Sequence, residues 1–332
     1  MKPLRLQEIN QAVSGELISN RSNKIIKNIS TDTRTMNQGD MFIALIGDNF
    51  DGHKFVTEAV EKDTSAIIVE RKMDIKNSVS QIIVEDTTKA LQDLAKYYRN
   101  LFEDLKVIGI TGSAGKTTTK DFVAGVLKQK FKVLKTEGNL NNYIGVPLTL
   151  LSLEGNEDFA VLEIGMNKKG EIELLSDLIS PHIGIITNVG PAHLEFLKTI
   201  ENIAREKSKL ISKLPDDGLA LLNYDNQYVR KMSEVFNGKN IIYFGQQKAA
   251  DIWAKDIFKK EGKSISFKAA YKEEKVLLNV NKPGLHNIYN VLPAVAIARE
   301  FNIEWDKIQK GLDDIAFSSL RMDIKEKNDF TV

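Results

Sequence analysis

The run Val107-Ile108-Gly109-Ile110-Thr111-Gly112-Ser113-Ala114-Gly115-Lys116-Thr117-Thr118-Thr119 leaves a chain few ways to fold. Its apolar opening reads as a buried strand, and Phe122, Val123, Val126 and Leu127 beyond it share one helical face. A strand, a glycine-rich turn and a helix start together make a phosphate cradle. Glycine lets the backbone bend sharply, N–H groups converge on an anion, and the helix dipole favours negative charge. Gly112, Ser113, Ala114, Gly115, Lys116, Thr117 and Thr118 are therefore candidate nucleotide-binding residues. Lys116 would neutralise the terminal phosphates and the Thr117 hydroxyl would sit on magnesium. The strict pattern asks for glycine where Ile110 stands, so the match is the shorter Gly112-x-x-Gly115-Lys116-Thr117.

Around this stretch the pattern is α/β in two parts. Residues 1–104 read as a small N-terminal α/β domain: helical spacing at Leu6, Ile9 and Val13, strands at 41–46, 66–69 and 81–84, and a helix from a Thr87 cap through Tyr98. Residues 105–315 alternate strand and helix, which implies a P-loop-type, doubly wound, mostly parallel sheet. Its expected strands are 107–111, 160–165, 183–188, 219–222 and 241–244, with helices at 117–129, 170–179, 199–213, 287–301 and 304–313. Between Ile252 and Val280 the period drops to two, the mark of an antiparallel β insert. Residues 316–332 read as a linker that opens a strand at Asp329-Phe330-Thr331-Val332.

The net charge of +1, from 46 basic and 45 acidic residues, gives no electrostatic footprint for nucleic acid or anionic lipid. With no cysteine there are no disulfides, thiol nucleophiles or cysteine metal sites. The first residues lack the apolar core of a signal peptide, and no stretch approaches a membrane span, so the expectation is a cytoplasmic protein without membrane insertion; separately, a monomer is expected.

Ligands of doubly wound sheets bind beyond the C-terminal ends of strands. Glu163 closes an apolar strand there, where a carboxylate is costly unless it pairs or binds metal, or reaches solvent. His193 lies in the loop after the next strand, and Lys207 follows on a helix where charge ordinarily faces water. Asn287 and Asn290 share a helical face and could read the edge of a base, or Asn287 could cap the helix. Two polar turns, Ser30-Thr31-Asp32-Thr33-Arg34 and Gly47-Asp48-Asn49-Phe50-Asp51-Gly52-His53, read from pattern alone as solvated connections.

Taken together, the glycine loop, Glu163 in Leu162-Glu163-Ile164-Gly165-Met166-Asn167, Asn188 through His193, Lys207 and His286-Asn287-x-x-Asn290 resemble the Mur ligase family, ATP-dependent amide-forming enzymes of peptidoglycan precursor synthesis. The resemblance implies ATP and two magnesium ions. Lys116, His193, Lys207 and Arg321 would be catalytic. Thr117, Glu163, His193 and Lys207 would hold metal, Lys207 as a carbamate, while Asn287 and Asn290 would face the adenine and Arg321 the terminal phosphate. It also implies a uridine-nucleotide site at Ser30, Thr31, Asp32, Arg34, Gly47, Asp51, Gly52 and His53.

Thr117-Thr118-Thr119-Lys120, the stretch Gly138 to Thr149, and Gly165-Met166-Asn167-x-x-Gly170-Glu171-Ile172 favour one family member, which makes Asn139, Asn141 and Asn142 expected substrate-binding residues. That member joins D-alanyl-D-alanine to a UDP-N-acetylmuramoyl-tripeptide through an acyl phosphate. Family members carry a third domain that this sequence stops short of. The expectation is thus a chain that binds nucleotide but ligates weakly alone. The other readings are a Mur-type ligase adding a single amino acid, and a P-loop NTPase or nucleotide-binding module without ligase activity.

Overall fold

The computed structural model describes residues 1–18, 23–47, 49–75, 78–192, 194–260, 263–315, 326–327 and 330–331. His193, Arg321 and most of the tail lie outside the described residues. The chain divides into two compact units, one of Met1–Glu103 with Tyr143–Asn156 and one of Asp104–Asn142 with Glu157–Val332.

The first unit holds α1 (Leu6–Ala12), β1 (Glu16–Ile18), β2 (Ile29–Ser30), β3 (Met41–Ile43), α2 (Val56–Glu61), β4 (Ala66–Val69), β5 (Ser80–Ile83) and α3 (Thr87–Asn100). Its sheet runs β1-β5-β4-β3-β2, with only β1 antiparallel to its neighbour. The third strand stops short of the expected Ile46. The Gly52 N–H donates to the Leu45 carbonyl at 2.8 Å, and Ile46-Gly47 folds back on Phe50-Asp51 as a hairpin. Asp86, not Thr87, caps α3 by accepting from the Lys89 N–H at 2.9 Å. Thr87 instead gives its N–H and hydroxyl to the Glu70 carboxylate.

The helix Gly145–Leu151, which the periodicity did not announce, belongs to this unit. Its proline sits in the first turn, where no intrahelical N–H is needed. Just beyond it the Leu153 carbonyl accepts from the buried Tyr98 hydroxyl of α3 at 2.6 Å.

In the second unit β6 (Lys106–Thr111) leads into α4 (Lys116–Leu127), followed by β7 (Val133–Lys135), β8 (Phe159–Glu163), α5 (Glu171–Ile179), β9 (Ile183–Ile186) and α6 (Ile200–Ser212). Then come β10 (Leu219–Asn223), β11 (Asn240–Gly245), β12 (Ile252–Lys260), β13 (Ser264–Tyr271), β14 (Glu274–Val280), α7 (His286–Glu300) and α8 (Trp305–Asp313). The strands form one sheet in the order β7-β8-β6-β9-β10-β11-β12-β13-β14. Strand order reverses at β6, which opens a crevice at its C-terminal end.

The insert is antiparallel, as its period predicts, and continues the same sheet: Phe244 pairs with Ile252 and Gly245 with Trp253 in parallel register. Ile110, Phe122, Val126, Val161, Ile185 and Phe244 share one apolar core with Val291 and Val295 of α7. That packing fixes α4, and so the loop before it, against the sheet. No helix among the described residues is long and apolar enough to cross a membrane.

Candidate nucleotide and metal site

The loop between β6 and α4 is held from the opposite strand. The Ser113 N–H donates to the Asn188 carbonyl at 3.0 Å, and the Ala114 N–H donates to the Asn188 side-chain oxygen at 2.9 Å. The Ser113 hydroxyl donates to the Gly190 carbonyl at 3.0 Å, and the Thr187 hydroxyl donates to the Ala114 carbonyl at 2.6 Å. Two loop amides expected to face phosphate are therefore engaged with Asn188. The anion-binding amides are left to the start of α4, which opens at Lys116. The Lys116 ammonium folds back onto the Gly112 carbonyl at 3.0 Å.

Both glycines are dictated by space. A Cβ on Gly112 would meet the Thr187 hydroxyl at 1.9 Å, and one on Gly115 would meet the Asn290 side-chain oxygen at 2.4 Å. Gly115 also sits at φ +82°, a left-handed conformation costing other residues about 1–2 kcal/mol. Gly115→Ala should therefore lower the melting temperature and weaken nucleotide binding together. Calorimetric melting and MgATP titration of the variant check this, and an unchanged melt would contradict it.

Glu163 ends β8 directly opposite Ile110 of β6. It does not reach solvent: it is 1% exposed, its Oε1 accepts from the Asn141 amide at 2.8 Å, and its buried Oε2 has no hydrogen-bond partner. A buried carboxylate oxygen left unpartnered is unfavourable unless a cation completes it. Thr117 is buried at the first turn of α4, and the buried Thr111 hydroxyl likewise has no partner. These hard oxygen donors fit magnesium, which uses one or two carboxylates and takes its other ligands from phosphate and water. Among the described residues no three His, Cys, Asp or Glu side chains cluster as a metal cage. Asn141 braces this carboxylate, and its backbone oxygen accepts from the Gly165 N–H at 2.8 Å. Asn139 and Asn142 are exposed.

Lys207 on α6 is buried, not solvated as the sequence pattern suggests. Burial, with the Lys116 charge adding to it, lowers its ammonium from 10.5 to about 7. The folded value lies below the unfolded one, so burial costs nothing above pH 10.5. The cost grows as pH falls and is complete below about 7. Lys207→Met should therefore gain stability over the parent between those limits, by on the order of a few kcal/mol at pH 7. Denaturant unfolding of both proteins across that range, in carbon-dioxide-free buffer, measures it.

Asn287 and Asn290 lie side by side on α7, joined by an amide hydrogen bond of 3.2 Å. Asn287 does not cap the helix. The helix opens one residue earlier, and the Asn287 amide donates to the Pro283 carbonyl at 2.7 Å. Asn290 lines a cleft of about 350 Å³ with Ala114, Gly115, Asn188, Asp225 and Tyr289. Sequence reading missed Asp225, which accepts from the Tyr289 hydroxyl at 2.9 Å; burial and this carboxylate push that hydroxyl up to about 12. The rule that singles out residues after strand ends, applied to β10, would have found Asn223, Asp225 and Asn226.

The first unit has its own cleft of about 510 Å³, lined by Thr31, Asp32, Arg34, Phe42, Phe50 and Phe55. Arg34 donates to both oxygens of Asp32, holding that carboxyl down at about 2. Phe50 and Phe55 stack with ring centroids 5.3 Å apart, a pair the sequence reading passed over. Ser30, whose hydroxyl donates to the Asp32 carbonyl, shapes the turn. Gly47 lies in the 46–51 hairpin, and Gly52 packs against the Leu45 backbone. His53 is buried: its Nε2 accepts from the Glu70 N–H, so its Nδ1 carries the proton and donates to Asp51 at 2.7 Å.

Family comparison matches residues 25–99 to the Mur ligase family catalytic domain and residues 110–298 to the Mur ligase middle domain. The chain belongs to the Mur ligase family. This Mur ligase is 39% identical over 298 residues to the UDP-N-acetylmuramoyl-tripeptide–D-alanyl-D-alanine ligase of Synechocystis sp., covering 89% of this chain and 63% of that one. It thus spans less than two thirds of that relative. The crystal structure of MurF from Acinetobacter baumannii superposes with a TM-score of 0.92 at 33% identity, covering 100% of this chain and 72% of that one. The MurF ligase from Thermotoga maritima in complex with ADP gives a TM-score of 0.78 at 30% identity, covering 91% and 69%. The mixed α/β, mostly parallel architecture is the Mur ligase fold of these structures.

Proposed function

We propose that this chain binds MgATP in the second unit and the uridine end of a UDP-N-acetylmuramoyl-tripeptide in the first. It would serve, in the cytoplasm, the ATP-dependent joining of D-alanyl-D-alanine to that tripeptide. The observation that carries the reading is the buried, half-partnered Glu163 set beside a glycine loop and helix start. Likeness to D-alanyl-D-alanine ligases over most of the chain supports the substrate assignment, and the ADP complex of the Thermotoga maritima relative supports the nucleotide.

The chemistry asks little covalent work of the protein. A carboxylate is anionic and has no leaving group. Phosphoryl transfer from ATP makes it an acyl phosphate, the amine attacks the carbonyl carbon, and phosphate departs. Positioning and charge neutralisation supply the acceleration. The Lys116 ammonium and the opening amides of α4 would hold the triphosphate, and Asn290 would border the adenine. Thr117 and Glu163 would hold a magnesium ion that neutralises phosphate charge. Lys207, its amine half neutral near pH 7, would take up carbon dioxide and become an oxygen donor. His193 and Arg321 remain part of this proposal as further metal and phosphate contacts.

Calorimetric titration tests the reading. MgATP and UDP-N-acetylmuramoyl-tripeptide should each bind saturably, and Phe50→Ala should weaken only the second, by about 1–3 kcal/mol, the usual worth of a base stacked on an aromatic ring. MgATP binding without any tripeptide binding would favour a nucleotide-binding module instead.

A further inference from the structure

The geometry points to Lys120 as a positioning residue that ties the metal carboxylate Glu163 to the helix carrying the phosphate loop. This rests on the MgATP reading of the same site. Lys120 lies one turn beyond Thr117 on α4, and its side chain is 0% exposed. Its ammonium donates to the Thr136 carbonyl at 2.6 Å. Thr136, just past β7 and itself fully buried, accepts the Glu163 N–H on its hydroxyl at 3.0 Å and donates its own N–H to the Val161 carbonyl at 3.1 Å. Asn141 holds the other end of the same glutamate through Oε1.

The relay thus runs from α4 through Lys120 and Thr136 to the backbone of Glu163, and leaves Oε2 of that residue open. A lysine is an expensive way merely to fill this space. Its charge is removed from water, and its counter-ion Asp121, 3.4 Å away, must itself be buried and paired with Lys135 at 2.9 Å. A methionine would occupy a similar volume without either cost. What the ammonium adds is a directed bond from the helix that receives phosphate to Thr136, whose hydroxyl in turn holds the strand end that receives metal. Outer partners of this kind orient metal ligands, and their loss typically weakens metal binding about 10–100-fold.

The test measures ATP affinity by calorimetry in EDTA and again in excess magnesium, for the parent chain, Lys120→Met, Thr136→Val and Thr136→Ser. The expected result is unchanged affinity in EDTA for all four. The magnesium-dependent gain should drop on the order of tenfold in Lys120→Met and Thr136→Val, and survive in Thr136→Ser, which keeps the hydroxyl. A merely structural role would lower both affinities together, and that outcome, or full retention of the gain, overturns the inference. Should Lys120→Met not fold, Thr136→Val decides the link it cuts: valine keeps the carbonyl that Lys120 holds and removes the hydroxyl that Glu163 uses. Full retention of the gain then overturns the relay, and its loss with unchanged affinity in EDTA supports it. A parent chain that binds no ATP refutes the nucleotide reading itself, a result distinct from variants that match a magnesium-responsive parent.

Discussion

Alanine at position 116 should leave the chain folded and lower its affinity for MgATP by on the order of a hundredfold or more. Truncating one member of a desolvated charged contact costs about 2–5 kcal/mol, much of it from the opposite charge left unpaired. Here the opposite charge would be the terminal phosphates. Without ligand the ammonium is satisfied by the Gly112 carbonyl, a bond that closes the loop on itself, so its removal should change the melting temperature little. A second readout separates charge from shape. The Lys116 charge helps to lower the Lys207 ammonium, so Lys116→Ala should raise the pH at which Lys207 titrates. Titration of MgATP at several pH values tests the first statement, and nitrogen NMR of Lys207 tests the second. Intact affinity in the variant would remove the basis for a phosphate site at this turn.

Glu163→Gln should likewise lose function and keep stability, here through the metal rather than the phosphates. The amide retains an acceptor for Asn141 and removes a buried negative charge whose Oε2 has no partner, so the folded chain should be as stable as the parent or more so. Magnesium should then cease to strengthen ATP binding, a loss on the order of a hundredfold, or about 2.7 kcal/mol. Thermal melting and ATP titrations with and without magnesium read the two sides of this prediction. A variant that melts earlier and still responds to magnesium would make Glu163 a structural residue. Stability that rises when a polar group is neutralised is the mark of a site built for a ligand.

The phosphate loop was legible because its signals are local. An apolar strand, two glycines and a helical face lie within about twenty residues, and each needs only its neighbours to be interpreted. The antiparallel insert was legible from its period, but its junction to β11 was not, since pairing partners leave no mark on alternation. Strand β7 is three half-buried residues, too short for any period to register. The helix Gly145–Leu151 packs with α3, some fifty residues earlier, and nothing in its own composition names that partner. Lys207 and Lys120 look like surface charges in the sequence because burial of an amine is decided by what folds over it. The Phe50–Phe55 stack escaped notice for a related reason: two aromatics five apart across a turn read as scattered apolar residues until the hairpin and the short helical turn at 52–55 bring the rings together.

The bonds from Thr187, Asn188 and Gly190 into the loop at 112–115 have a consequence for how a nucleotide is received. Because the turn is already fastened to the neighbouring strand, its shape is settled during folding, and an arriving triphosphate meets a finished mould. The entropy of arranging that backbone is spent before the encounter, so little of the attraction between phosphate and protein is consumed in ordering the receptor.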